Sequence, residues 1–208
     1  MTVPCADTLI VVPMKDMSRS KTRLQGQLTP DQRARLARLM LCKTLELLRQ
    51  LEGVDSAVVT GSAGVAAIAL KHGIRVIVEP VISNLCIALE HAARYAQAKG
   101  YRRVCILPAD LASPAPGDLK RLLASHVSVT VCPAADYGTN ALLVTPPCAV
   151  RFRYGPQSAY RHMDAAARVG LHAVWMPFES FSLDVDTSAC LEEASEIDPE
   201  IQALIAVE

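Results

Sequence analysis

A cluster of basic side chains follows the first apolar segment of the chain. Residues 12–24 read V-P-M-K-D-M-S-R-S-K-T-R-L and place Lys15, Lys21 and Arg23 shortly after Pro13. Lysine supplies a point charge and arginine a forked set of donors, so this loop suits a triphosphate. Neither a Walker sequence nor G-x-G-x-x-G is present, and phosphate would therefore be held by side chains. A solvated basic loop without a ligand is the competing interpretation.

Two later motifs contain carboxylates that suit a divalent cation. Asp110 lies in C-I-L-P-A-D-L behind an apolar segment, and Asp184 and Asp186 alternate in S-L-D-V-D-T. Mg²⁺ prefers one or two carboxylates together with substrate phosphates. Alternate residues of an extended segment point to opposite sides, which favours one metal ligand from this pair, Asp184 first, and leaves the other to cap the next helix. For Asp110, the alternative is an aspartate that only caps a turn or helix.

Two glycine-containing motifs offer donors for an anionic substrate. They are Y-G-T-N-A-L-L, with Thr139 and Asn140, and F-R-Y-G-P-Q-S-A-Y-R-H, with Gly155, Ser158 and His162. Glycine permits close approach of the backbone to a ligand, and hydroxyls and backbone N–H groups near a helix start bind carboxylate or phosphate. His162 follows Ser158 by one helical turn and shares its face. The alternatives are ordinary glycine turns and a structural histidine.

These motifs must be positioned by alternating strands and helices. Apolar, β-branched segments predict strands at residues 8–13, 56–60, 74–78, 103–107, 127–132, 140–144 and 172–176, with a short extended piece at 182–185. Helical spacing and caps predict helices from Thr29–Pro30 to about 51, and at 63–72, 86–99, 116–125, 157–169, 188–196 and 199–206. This order predicts an α/β fold, a mostly parallel sheet with helices on both faces. Ligands of such sheets bind outside the carboxyl ends of the strands, where all the motifs fall.

The composition narrows the class of protein. The formal net charge is zero, which argues against a nucleic-acid partner, and no apolar run is long enough to span a membrane. Seven cysteines without a C-x-x-C motif indicate reduced thiols in the cytoplasm, and the N-terminus does not look like a signal peptide. The length predicts one nucleotidyltransferase domain over residues 1–208.

In this order, the motifs resemble the phospholactate guanylyltransferase family of deazaflavin coenzyme biosynthesis. V-P-M-K with S-K-T-R-L, L-P-A-D-L, G-T-N-A-L-L, Y-G-P-Q-S with the later His, and D-V-D-T carry the resemblance along nearly the whole chain. Sugar nucleotidyltransferases share the first strand, the basic loop and the acid that corresponds to Asp110. They lack the pair formed by G-T-N-A-L-L and Y-G-x-x-S. The resemblance implies a nucleotide-diphospho-sugar transferase-like, Rossmann-like fold.

The resemblance also implies roles for the motif residues. Lys15, Lys21 and Arg23, with Pro13, would bind the triphosphate of GTP, and Lys21 and Arg23 would act with Asp110 in catalysis. Asp110 and one acid of the D-V-D pair would hold Mg²⁺. The expected ligands of the acceptor are Thr139, Asn140, Gly155, Ser158, His162 and Cys86.

One motif departs from the family pattern. The family usually opens the helix after the third strand with Gly-Leu-Asn-x-Ala-Leu, whereas residues 84–89 here read N-L-C-I-A-L. Cys86 therefore stands in the place of a polar Asn, and a thiol is a weak hydrogen-bonding group. Family members use 2-phospholactate, phosphoenolpyruvate or 3-phosphoglycerate, and the changed pocket leads us to expect 3-phosphoglycerate.

The implied reaction moves GMP from GTP onto the phosphate of the small acid and releases pyrophosphate. Another nucleotidyltransferase of the same fold, with a sugar phosphate or a molybdopterin as acceptor, is the enzymatic alternative. A GTP-binding protein without activity is the other. The sequence leaves the oligomeric state open, a homodimer included, and the resemblance allows a hand-off of product to a downstream deazaflavin transferase.

Overall fold

The computed structural model describes residues 6–80 and 84–206, in which strands and helices alternate along most of the chain. The strands are β1 Thr8–Pro13, β2 Asp55–Thr60, β3 Arg75–Val78, β4 Arg103–Ile106, β5 Val129–Pro133, β6 Thr139–Val144 and β7 Ala173–Trp175. The helices are α1 Pro30–Arg49, α2 Ala63–Lys71, α3 Leu85–Lys99, α4 Pro116–Leu123, α5 Ser158–Arg168, α6 Ser188–Ile197 and α7 Pro199–Ile205. Short 3-10 turns lie at Met17–Arg19, Thr22–Leu24 and Glu179–Phe181.

Within the described ranges, the strands form a seven-stranded sheet in the order β3-β2-β1-β4-β6-β5-β7. Strand β6 runs antiparallel to its neighbours β4 and β5, and the other pairs are parallel. The predicted mostly parallel α/β sheet is confirmed. Because β6 is reversed, its first residue, Thr139, lies at the same edge as the carboxyl ends of the parallel strands.

The central strand β1 is buried on both faces of the sheet. Ile10 and Val12 pack with residues of α1, α2 and α4, whereas Leu9 and Val11 pack with residues of α3 and α5. Successive side chains of a strand point to opposite faces, so a continuous apolar run is what a sheet covered on both sides requires.

Helix α1 begins where its sequence predicts. The Thr29 side chain accepts a hydrogen bond from the backbone N–H of Gln32 at 3.2 Å, and the Gln32 side chain accepts one from the Thr29 N–H at 2.9 Å. This capping box, followed by Pro30 at the first helical position, satisfies N–H groups that the helix itself leaves unpaired.

A third apolar cluster holds two distant loops beside each other. Leu24 from the basic loop and Val185 from the D-V-D-T motif are both fully buried in it, and α1, α6 and α7 contribute most of the remainder. Burial of a Leu or Val side chain contributes about 1.5–3 kcal/mol, so each loop is anchored by a residue next to its charged ones. The cluster thereby brings the residues around Lys21 close to those around Asp186.

The extended piece predicted at residues 182–185 is shorter in the structure. It is reduced to one antiparallel bridge between Leu111 and Asp184, with the Val185 N–H donating to the Asp110 carbonyl at 3.0 Å. The 3-10 turn at Glu179–Phe181 and the start of α6 at Ser188 flank this segment and limit the length of the pairing. The bridge nevertheless joins the two acidic motifs through the backbone.

Candidate active site

A cleft of 410 Å³ lies across the carboxyl ends of β1 to β4. Its walls come from the loop after β1, from α1 and α3, and from the segments after β3 and β4. The lining residues are Pro13, Met14, Lys15, Ser20, Lys21, Ala37, Met40, Val59, Glu79, Asn84, Leu85, Ala88, Pro108, Ala109, Asp110 and Asp186. Four of the five residues predicted for nucleotide and catalysis, all except Arg23, therefore share one cavity with Asp186.

Lys21 has an unusual backbone and an unusual environment. Its φ and ψ are 54° and 34°, the left-handed region, which costs a residue with a Cβ about 1–2 kcal/mol. Its side chain is only 5% exposed, and its ammonium donates to Asp110 Oδ2 at 2.9 Å and to Asp186 Oδ1 at 3.1 Å. Burial disfavours the charged form, but the two carboxylates outweigh this and raise the pKa of Lys21 above its ordinary value. A strained backbone that aims a buried charge into a cleft is typical of functional sites.

The third carboxylate, Asp184, lies close to the other two. Burial, followed by repulsion from Asp110 and Asp186, raises the pKa of Asp184, while Lys21 lowers it. The pair that shares the lysine is thus Asp110 with Asp186, although the sequence favoured Asp184. Arg23 lies 3.9 Å from Asp186 at the rim, with its side chain 74% exposed.

The carboxylates of Asp110 and Asp186 fit a cation that takes its remaining ligands from a substrate. Among residues 6–80 and 84–206, no three His, Cys, Asp or Glu side chains are grouped closely enough to form a complete metal cage. Asp110 and Asp186 nevertheless face one cleft as a carboxylate pair. Mg²⁺ is commonly held by one or two carboxylates, water and substrate phosphates, so the pair is compatible with it.

Three of the predicted acceptor residues, Thr139, Ser158 and His162, form a buried hydrogen-bond network. Thr139 Oγ1 lies 2.9 Å from Ser158 Oγ and 3.0 Å from His162 Nδ1, and the backbone N–H of Arg153 donates to His162 Nε2 at 2.9 Å. Since Nε2 accepts, the proton of the neutral ring is on Nδ1 and points to Thr139. Burial lowers the pKa of His162 to about 4, so the ring is uncharged at neutral pH.

The remaining predicted acceptor residues lie near this network. The amide of Asn140 donates to the Phe181 carbonyl at 2.6 Å and ties β6 to the turn before the D-V-D-T motif. Gly155 has a φ of 119°, which a residue with a Cβ rarely adopts, and Cys86 is half-buried in the first turn of α3. The structure does not place Thr139, Asn140, Gly155, Ser158, His162 or Cys86 on the cleft wall, and their contact with an acceptor stays a prediction.

Sequence reasoning overlooked one acidic residue of the cleft. Glu79 directly follows β3 and lines the cavity. The signal was available, because residues just behind a parallel strand face the ligand-binding edge. The apolar lining residues of α1, Ala37 and Met40, carried no such signal, since they read as ordinary core positions.

A larger groove, of 640 Å³, lies between α3 and α5. Arginines and two acids line it together with apolar residues, and none of the predicted site residues takes part. In the same described ranges, no helix has the length and apolar character needed to cross a membrane.

Comparison with known proteins identifies relatives along most of the chain. Residues 8–196 match the family model described as guanylyl transferase CofC like. A 3-phospho-D-glycerate guanylyltransferase from Colwellia psychrerythraea is 38% identical, over 89% of this chain and 90% of that protein. A phosphoenolpyruvate guanylyltransferase from Conexibacter woesei is 31% identical (91% and 88% covered), and a 2-phospho-L-lactate guanylyltransferase from Methanothermobacter thermautotrophicus is 32% identical (89% and 83% covered).

Solved structures support the fold at much lower identity. A nucleotidyl transferase from Methanothermobacter superposes with a TM-score of 0.64 at 14% identity, covering 94% of this chain and 98% of that one. The synthetase for CMP-2-keto-3-deoxy-manno-octonic acid gives 0.61 at 14% identity, with 93% and 99% covered. The fold is therefore that of the nucleotidyltransferases, and the match over residues 8–196 together with the 38% identical relative shows that the chain belongs to the CofC-like guanylyl transferase family.

Proposed function

We propose that this chain transfers GMP from GTP to the phosphate of a small phosphorylated organic acid, in the biosynthesis of a deazaflavin coenzyme. The observation that carries the proposal is the buried ammonium of Lys21, held between Asp110 and Asp186 in an open cleft. A family of guanylyl transferases supplies the reaction class. Reaction in the cytoplasm, and release of product to a downstream transferase, are further parts of the proposal.

In the proposed step, a phosphate oxygen of the acid attacks the α-phosphorus of GTP. A new phosphorus–oxygen bond forms, the bond between the α-phosphorus and the bridging oxygen to the β-phosphate breaks, and pyrophosphate leaves with that electron pair. The attacking oxygen is already an anion, so no general base is required. The main barrier is the approach of two polyanions, and fixed positive charge lowers it.

The chain's own residues divide this task by position. Lys21 remains charged at neutral pH and presents its ammonium to the cleft from a rigid, buried position. Lys15 lines the same cleft, and Arg23 reaches its rim. These cations would orient the triphosphate and neutralise the charge that develops on the leaving group.

We also propose that Asp110 and Asp186 bind Mg²⁺ together with the phosphates. The bound ion would supply charge neutralisation between the two anionic substrates. The carboxylates would hold it at the cleft end near β4, and the hydrogen bonds from Lys21 would keep both carboxylates oriented. Asp184, with its raised pKa, would add a third oxygen only where a strong cation compensates for the repulsion.

For the acceptor we propose 3-phospho-D-glycerate. The relative with 38% identity is named for that acid, and the Cys86 departure distinguishes this chain from the usual family motif. Cys86 is half-buried in the first turn of α3. An asparagine at position 86 would replace a weak hydrogen-bonding thiol by an amide and would make this position more polar.

Pyrophosphate release from GTP and Mg²⁺ with each of the three acids tests the proposal. We expect turnover with 3-phosphoglycerate to exceed that with the other two, and Cys86→Asn to reduce this preference. A clear preference of the natural protein for 2-phospholactate would exclude the proposed acceptor and leave the guanylyl transfer intact. Absence of pyrophosphate with all three acids, in protein that binds GTP, would contradict the transfer itself.

A further inference from the structure

The choice of guanine over other bases requires a group in the cleft that reads the base, and Glu79 occupies a suitable position. Its N–H donates to the Thr60 carbonyl at 3.0 Å, so its backbone continues β3 beside the end of β2. A Cβ at Gly61 would lie 3.5 Å from Glu79 Oε2, which places the carboxylate over the end of β2. The side chain is half-buried and lines the cleft.

The carboxylate of Glu79 has no side-chain partner among the residues that the structure describes. Across residues 6–80 and 84–206, it has no ion pair or hydrogen bond with another side chain. Asp16, on the neighbouring loop, is different: it accepts hydrogen bonds from Ser18 N, Ser18 Oγ and Ser62 Oγ at 3.0, 2.6 and 2.7 Å. Of these two described acids, Glu79 is therefore the one whose carboxylate is available to a ligand.

The cleft separates Glu79 from the Lys21 cluster by a useful distance. Glu79 follows β3 and Asp110 follows β4, and in the sheet β2 and β1 lie between these strands. Because the Glu79 carboxylate lies over the end of β2, about two strand intervals, or roughly 10 Å, separate it from the end of β4, so the two groups lie at different ends of the cavity. Val59 and Ala88 give the intervening wall an apolar surface on which a base and ribose can lie.

Guanine is the base whose hydrogen-bonding edge matches a carboxylate. Its N1–H and 2-amino group are adjacent donors, and the two carboxylate oxygens accept both. Adenine and cytosine place an acceptor nitrogen next to their amino group, which a carboxylate repels. Resting on the proposed use of GTP, we infer that Glu79 determines nucleotide specificity by accepting two hydrogen bonds from the guanine base.

Glu79→Gln tests this role because it changes one donor–acceptor position and little else. The amide oxygen of the glutamine still accepts from the N1–H of guanine, but the amide nitrogen then faces the 2-amino group, and two donors meet. In xanthine the same amide nitrogen faces the 2-carbonyl, to which it can donate. We expect the natural protein to prefer GTP over ITP and XTP by about 10- to 100-fold in kcat/KM, mainly through KM. In Glu79→Gln the GTP preference over ITP should disappear and XTP should become the better substrate. Glu52→Gln, exposed and outside the cleft, is the matched control.

Competition of the same nucleotides against a fluorescent GTP analogue gives the ratios without turnover. An unchanged GTP-to-ITP ratio in Glu79→Gln, in active and folded protein, would overturn the inference and leave the proposed function standing. If Glu79→Gln loses the GTP-to-ITP ratio in binding while the natural protein releases no pyrophosphate with any acid, the inference is supported and the proposed function is contradicted.

Discussion

The ammonium of Lys21 lies 2.9 Å from a carboxylate oxygen of Asp110, a residue 89 positions later in the chain. The same ammonium contacts Asp186, 165 positions later. Lys21 thus connects the basic loop after β1 with both acidic motifs. Its burial and left-handed backbone both cost stability, which suggests that the arrangement persists for the chemistry of the cleft rather than for the fold.

Lys21→Met should remove this connection while keeping the length of the side chain. We expect kcat to fall about 100-fold or more, because one preorganised positive charge is lost where the leaving group develops charge. Pyrophosphate release measures the effect. Lys120→Met, on the exposed face of α4, is the control and should retain normal turnover. A Lys21 variant with more than half of the natural rate would contradict the role.

Asp110→Ala should nearly abolish turnover in a protein that remains folded. Asp110 is partly exposed at the cleft, so its loss should affect cation binding more than packing. Binding of Mn²⁺ in place of Mg²⁺, followed by its electron spin resonance, measures the cation independently of the reaction. Asp118→Ala, an acid of α4 away from the cleft, is the comparison. Unchanged Mn²⁺ affinity in Asp110→Ala would remove this carboxylate from the metal proposal.

Asp184→Asn should make the protein more stable at neutral pH. Burial and the repulsion from Asp110 and Asp186 raise the pKa of Asp184, so its ionised form destabilises the folded state above that pKa. This destabilisation decreases as the pH falls through the pKa of Asp184 in the folded state and is absent below its ordinary pKa in the unfolded chain. Thermal unfolding at pH 7 should show a higher Tm for the variant, with a smaller difference at pH 4. An equal or lower Tm at pH 7 would contradict the assignment.

His162 should make the folded state sensitive to acid. Its folded pKa of about 4 is below the unfolded value of 6.5, so its contribution is fully present above pH 6.5 and is lost as the pH falls towards 4. Each pKa unit corresponds to about 1.4 kcal/mol, which gives a loss of about 3 kcal/mol across the window. Between pH 7.5 and pH 5 about 1.5 of these pKa units are crossed, so urea unfolding should show a loss of about 2 kcal/mol in the natural protein and a smaller one in His162→Gln. Equal pH dependence in the two proteins would show that the ring does not titrate as stated.

Asn140→Ala separates a structural role from a role in acceptor binding. Its amide contact with the Phe181 carbonyl is buried, and an unpaired carbonyl costs about 1–3 kcal/mol, so we expect a loss of that size in the free energy of unfolding. The turn that carries Phe181 precedes Asp184 and Asp186, and kcat should fall as well. A large rise in the KM for the acid without any loss of stability would instead indicate direct contact with the acceptor.

The sequence predicted most elements because their signals are local. The Thr29–Pro30 pair at the start of α1 and the apolar, β-branched run of β1 each identify an element from neighbouring residues alone. The reversed direction of β6 and the single bridge at Asp184 were not predictable in this way. Both depend on pairing between residues that are distant in the chain, and the pattern of neighbouring residues carries no information about such pairing.

By itself, the sequence determined which residues could bind phosphate, cation and acid, and that they follow strands of a parallel sheet. Only the tertiary structure decided that Lys21 joins Asp110 to Asp186, that Glu79 faces the other end of the same cleft, and that Thr139, Ser158 and His162 bond to one another. The physical reason is that burial of Leu24 and Val185 in one apolar cluster fixes the relative position of two loops. Residue types and spacing alone do not specify that packing.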